Sequence, residues 1–207
     1  MVDADRIFLN KIITGDETWC FAYDPETKRR CSEWVGQTSP RPKKLKLRRS
    51  RIKTMLIIFF DSQGVVHKEF VPEGKTVNAE FYKGVMDRLL KRIQRVRSAV
   101  FCSRDFFLLH HIAPAHKGAS VCQILSPKKC YNPLSPPYCP NVSPPDYFLF
   151  PKLKMTLKGL HFADVAEIQE AVTIELKKVQ KNEFSAAFQK LYDRTKFCIY
   201  ANGAYFE

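Results

Sequence analysis

The chain has 207 residues, 45% of them hydrophobic, and a formal net charge of +13. That is the length of one domain with a sizeable core, so a wholly disordered chain is excluded, and the positive balance points to a polyanionic partner, nucleic acid before others. No apolar run approaches the roughly 18–20 residues needed to span a bilayer, and the opening MVDADRIFLN has acids and no long apolar core, unlike a signal peptide, so no membrane partner is expected.

In chain order, residues 7–13 and 19–23 read as one strand region interrupted by the polar TGDET. Residues 24–53 are poor in strand signal and end in a dense basic run, in which eight of residues 41–53 are Lys or Arg. TMLIIFF (54–60) is a strongly apolar strand, DSQG a turn, and VVHKEFV (65–71) an alternating strand, which together predict a hairpin. Asn78 caps a predicted helix through Val96, with Phe81, Val85, Leu89 and Ile93 on its apolar face. FFLLHH (106–111) is a second buried strand, and Pro114 suits the start of a short helix through Ile124. Residues 126–145 hold seven prolines and read as a rigid loop. DYFLFPKLKMTLKG then starts a helix, and 164–200 reads as two more. Helices alternating with strands imply a layered α/β or α+β domain.

Seven cysteines (Cys20, Cys31, Cys102, Cys122, Cys130, Cys139, Cys198) include no C-x-x-C pair and are odd in number. Neither a disulfide framework nor a zinc site is supported, and reduced cysteines acting as small apolar side chains are expected.

Three segments carry the chemistry: ITGDETW with Asp16, LLHHIAPAH at 108–116, and PPYCPNVSPPDYFLF at 136–150 with Asp146. With the closing NGAYFE, their order resembles the catalytic domain of mariner-type transposases. There, a GDE-W strand is followed by an LLHDNA-P-H strand end and a PPYSPDL-P-DY loop and helix. The second and third acids of that family are 34 residues apart, and 34 residues separate position 111 from Asp146 here. Taken singly, Asp16 is an ordinary strand-edge aspartate, Asp146 an acid favoured at a helix N-terminus, and His110, His111 and His116 half-buried histidines. The ordered conjunction is what points to a site.

The resemblance implies an α/β, RNase H-like fold, with a central mixed sheet flanked by helices, and one domain over 1–207. It implies that 24–53 is a clamp-like insertion used to pair subunits near DNA, and that 164–207 is a C-terminal helical part. It implies catalytic positions at Asp16, His111 and Asp146, metal ligation by Asp16 and Asp146, and Mg²⁺ or Mn²⁺ as cofactor. Two metals some 4 Å apart activate water and stabilise the leaving oxygen in phosphodiester cleavage, and anionic oxygen ligands offset their mutual repulsion. The implied activity is DNA strand cleavage and transfer.

The sequence departs from the pattern at His111-Ile112, where the family has Asp-Asn. Imidazole is neutral, and a nitrogen ligand suits magnesium poorly. By strand alternation His110 and Glu17 face away from the site, and Asn141 replaces a further acid. Impaired catalysis is therefore expected, with a weak Mn²⁺-dependent nuclease and a non-catalytic, dimerising interaction module as alternatives. Homodimerisation is left open.

The basic run reads as a solvated loop, a nuclear import signal or a phosphate-contacting arm. Lys43, Lys44, Lys46, Arg48, Arg49, Arg51 and Lys53 are the candidate contacts to double-stranded DNA, largely nonspecific, and a nuclear location is expected. The family's paired helix-turn-helix modules have no counterpart within 1–207, so recognition of specific transposon ends is expected to be absent. Trp19 and Trp34 are expected in the core or an interface.

Overall fold

A computed structural model describes residues 8–26, 48–98, 106–110 and 140–200. Several predicted features lie outside the described residues: the helix from Pro114 to Ile124, most of the proline loop, Trp34, His111, His116, Lys43, Lys44, Lys46 and the NGAYFE terminus.

Four strands form one mixed sheet: β1 (Ile12–Phe21), β2 (Lys53–Asp61), β3 (Gly64–Val71) and β4 (Phe107–His110), in the order β3-β2-β1-β4. The β2–β3 hairpin is antiparallel and turns at Asp61, whose carboxylate accepts from the amides of Gln63 and Gly64 at 2.8 and 3.0 Å. β1 pairs antiparallel with β2 and parallel with β4. The apolar run of β2 is explained by its place inside the sheet, covered on both faces. Leu56, Ile58 and Phe60 join one core and Ile57 and Phe59 the other.

One face carries α1 (Ala79–Val96), capped by Asn78, which accepts from the Phe81 amide at 2.8 Å. Tyr82, Val85, Met86, Leu89, Leu90 and Ile93 are buried. Phe81 is only partly buried, a small correction to the predicted apolar face: the stripe is centred one residue further on. The other face carries α2 (Phe150–Leu157), α3 (Val165–Lys178) and α4 (Lys181–Tyr200). α3 starts in a reciprocal cap, where Asp164 accepts from the Glu167 amide and Glu167 reaches back to the Ala163 amide. Phe60 packs against Phe184 and Phe188 of α4 with ring centroids 5.5 and 6.1 Å apart.

Two further expectations need correcting. β1 is unbroken: TGDET lies inside it, while Phe8 and Leu9 form a helical turn before it. Polar residues fit there because the backbone pairs with β2 throughout and with β4 as far as Gly15, so the side chains need not be apolar. The proline loop also ends early. Pro140–Val142 is a 3₁₀ turn and Pro145–Leu149 a π turn leading into α2. Prolines at the first turn of a helix give up amides that have no partner there in any case.

Candidate functional site

Gly15 and Asp16 lie in the middle of β1, opposite Phe59 and Ile58 of β2. A Cβ on Gly15 would come within 2.1 Å of the Phe59 ring, so only glycine lets that ring lie across the strand. The glycine of the GDE motif is thus a packing requirement beside the acid. Asp16 belongs to the alternate set that faces α2–α4, with Ile12 and Cys20. Burial pushes its carboxyl up to about 7. The Glu17 amide, donating to Oδ1 at 2.8 Å, opposes that rise, and the charges of Glu17 and Asp146 add to it. Strand alternation assigns the Glu17 side chain to the other face, yet Glu17 interacts with Asp16 through both its amide and its charge.

Asp146 is exposed on the π turn, which touches β1. The turn has a physical cause in sequence. Pro144 and Pro145 open it without amides, and Pro151 lacks the N–H that would close an α-helical bond onto the Tyr147 carbonyl. The ladder widens just upstream, where the Phe150 amide donates to the Pro145 carbonyl, five residues back. The amides of Asp146 and Tyr147 share the Ser143 carbonyl at 3.0 and 3.2 Å.

α4 braces this turn from outside. The Tyr147 hydroxyl donates to the Ala187 carbonyl at 2.8 Å. The Arg194 guanidinium lies 4.2 Å from the Tyr147 ring centroid and donates to the Asn141 carbonyl at 2.9 Å. Tyr147 stands next to Asp146 in sequence, which is a signal that it shares the turn; nothing in sequence pointed to Arg194.

The structure therefore brings Asp16 and Asp146 within electrostatic reach. β4 ends at His110, in register with Gly15, one residue short of His111. His110 is buried on the α1 face, its ring centroid 6.0 Å from that of Tyr82. Among the described residues no group of three His, Cys, Asp or Glu side chains could hold a metal ion. Among the described residues the acids brought together from distant segments are Asp16 and Asp146, with the Glu17 side chain also hydrogen-bonded to Asp16. As hard anionic oxygens in mutual repulsion, the two aspartates suit one divalent cation such as Mg²⁺ or Mn²⁺.

Of the candidate DNA contacts, Arg48, Arg49, Arg51 and Lys53 are described and exposed. Arg49 pairs with Asp24 at 2.6 Å and lies over the Phe21 ring, and Lys53 lies 4.0 Å from the Trp19 ring centroid. Trp19 is 41% exposed, so of the two expected placements, core or interface, the core is excluded. With Arg51 and Lys53 it lines a cavity of about 370 Å³ at the end of the sheet. The stem of the 24–53 segment is fixed by backbone bonds, Ala22 to Ile52 and Ser50 to Tyr23, each 2.9 Å. The loop after α2 joins it: Gly159 donates to Asp24 and Phe162 to Ala22, again at 2.9 Å.

A parallel first and fourth strand, an acid in mid-β1 and a second acid on the turn that enters a covering helix define an RNase H-like domain. Residues 24–101 match a family model described as Transposase (partial DDE domain). The chain is 28% identical over 201 residues to the human histone-lysine N-methyltransferase SETMAR, covering 97% of this chain and 29% of that protein. It is 27% identical over 204 residues to the Mariner Mos1 transposase of Drosophila mauritiana, covering 98% of this chain and 58% of that protein. The structure superimposes on a pre-cleavage Mos1 transpososome with a TM-score of 0.88 at 28% identity, over 97% of this chain and 58% of the other. Sequence and structure together support a mariner-type transposase catalytic domain.

Proposed function

We propose that this domain binds duplex DNA with little sequence preference and holds a divalent ion between Asp16 and Asp146, with strand cleavage and transfer impaired by His111. The observation that carries the reading is that β1 and the π turn touch, which brings two carboxylates from distant parts of the chain, Asp16 and Asp146, within reach of each other's charge. A divalent ion bound there supplies charge to activate water and to stabilise a leaving oxygen. The chain's own part is to orient the two aspartates, one on a sheet strand and one on a braced turn. His111 stands in sequence where the family has its second acid, and its neutral imidazole leaves the site one negative charge short. Solved relatives support the metal: Mos1 paired-end complexes exist with Mn and with Mg.

The exposed cations Arg48, Arg49 and Arg51 and the Trp19–Lys53 pair suit phosphate and aromatic contact, and the sequence adds further cations at 41–46. A nuclear location follows from the same reading. The chain spans 29% and 58% of these two curated relatives, so end recognition and subunit pairing by a whole protein are outside this proposal.

Two assays test it. Replacing Lys43, Lys44, Arg48 and Arg49 with alanine should weaken binding to unrelated duplexes alike and flatten the salt slope by about 0.9 per lost contact. Unchanged affinity and slope leave the run a solvated loop or import signal and favour the interaction-module alternative. In a nicking assay the native chain should show little Mg²⁺-dependent cleavage, with residual activity favouring Mn²⁺. The double change His111→Asp with Ile112→Asn should raise nicking, and Asp146→Ala should abolish it. Robust Mg²⁺-dependent cleavage by the unchanged chain, lost in Asp16→Ala, contradicts impairment.

A further inference from the structure

The turn that presents Asp146 has little backbone restraint of its own. It carries no side-chain cap, opens with two residues that lack amides, and hangs the next two amides on one carbonyl. Such a turn takes its orientation from what packs against it. Its inner side is seated by Leu149 in the core and by Phe148 against Phe60. On its outer side the polar contacts come from α4, and Arg194 touches residues on both sides of Asp146 in sequence. Its guanidinium face lies over the Tyr147 ring, and its Nη1 donates to the carbonyl of Asn141, ahead of the turn. The Tyr147 hydroxyl, bonded to Ala187, fixes the ring on which Arg194 rests.

We propose that Arg194 is a positioning residue for the ion site: by clamping Tyr147 and Asn141 it fixes the π turn so that Asp146 faces Asp16. The inference rests on the two-carboxylate reading above and adds to it a residue that touches neither carboxylate. One planar group makes both contacts at once, stacking with its face and donating from its edge, which a lysine ammonium cannot reproduce. Loss of a group that orients a ligand in this way typically costs metal affinity 10- to 100-fold, about the range expected here.

The test is Mn²⁺ titration of the whole chain, followed by the signal of free Mn²⁺, on the native protein, Arg194→Ala, Arg194→Lys and Tyr147→Phe. Amide exchange is read in parallel at Asp146, Tyr147 and the β2 core. Arg194→Ala should bind Mn²⁺ at least about tenfold more weakly. It should speed exchange at Asp146 and Tyr147 and leave β2 protected, which a general loss of stability would not do. Arg194→Lys should recover only part of the affinity, and Tyr147→Phe should show a smaller loss of the same kind. If Arg194→Ala does not fold, these two conservative variants carry the test. Native Mn²⁺ affinity in the Arg194 variants, with the native chain binding well, overturns the positioning role alone. Unchanged exchange at Asp146 and Tyr147 overturns the clamp. Absence of Mn²⁺ binding by the native chain overturns the two-carboxylate reading and this inference with it.

Discussion

Asp16 and Asp146 are held by two different kinds of scaffold. Asp16 sits in a strand whose backbone is bonded to β2 along its length and to β4 just before it. Asp146 sits on a five-residue turn bounded by prolines and held on its outer side by the Ala187 carbonyl and the Arg194 side chain of α4. In the first region the ladder sets the side chain's direction, and its burial makes ionisation costly. In the second, tertiary contacts aim an exposed carboxylate whose local backbone has slack. A fixed half and an adjustable half give a site in which substitutions on β1 and on the turn should fail differently.

The largest expected effect is on the fixed half. Gly15→Ala puts a Cβ within 2.1 Å of the Phe59 ring and should destabilise the fold by about 2–3 kcal/mol, read as a lowered unfolding midpoint in denaturant. Phe59→Leu in the same chain should recover part of the loss; no recovery would mean the strain lies elsewhere in β1. The adjustable half should answer differently. Pro151→Ala restores an amide that can close onto the Tyr147 carbonyl and draw the π turn toward α-helical register. The fold should be as stable or more so, while Mn²⁺ affinity falls by about tenfold. A variant that binds Mn²⁺ as well as the native chain would show that the π register does not aim Asp146.

A pH test separates the halves again. A carboxyl whose folded pKa is raised costs nothing below its ordinary value of 3.8 and costs stability increasingly as pH rises through about 7. Asp16→Asn should therefore raise the melting temperature by several degrees at pH 8, allowing for partial exposure, and leave it unchanged near pH 3.5. Equal effects at both values would remove the electrostatic reading of Asp16. The smallest effect is expected at the stem of the 24–53 segment. Arg49→Ala breaks an exposed ion pair and should cost less than about 1 kcal/mol in a thermal melt.

The two halves also differ in how far the sequence disclosed them. The β2–β3 hairpin, the Asn78 cap and the last two helices follow from periodicity and capping chemistry, because those signals act within a few residues. Asp16 was identifiable as a strand acid, but its continuous strand was not, since TGDET looks polar until its backbone partners on β2 and β4 are known. The motif order and spacing singled out Asp146. The π turn beneath it depends on how Pro144, Pro145 and Pro151 act together, and the Arg194 clamp on a helix far along the chain, so neither has a local signature. The choice between core and interface for Trp19 was open for a related reason: strand alternation does not say where the sheet's covering helices stop. His111 lies outside the described residues, so its part remains a proposal from sequence.

The measurement that tests the central claim most directly is the stoichiometry of Mn²⁺ binding at pH 8 by the native chain, Asp16→Ala and Asp146→Ala. The account predicts saturable binding by the native chain at one site that either substitution abolishes, because neither carboxylate suffices alone. Binding that survives both substitutions, or no binding by the native chain, would contradict it.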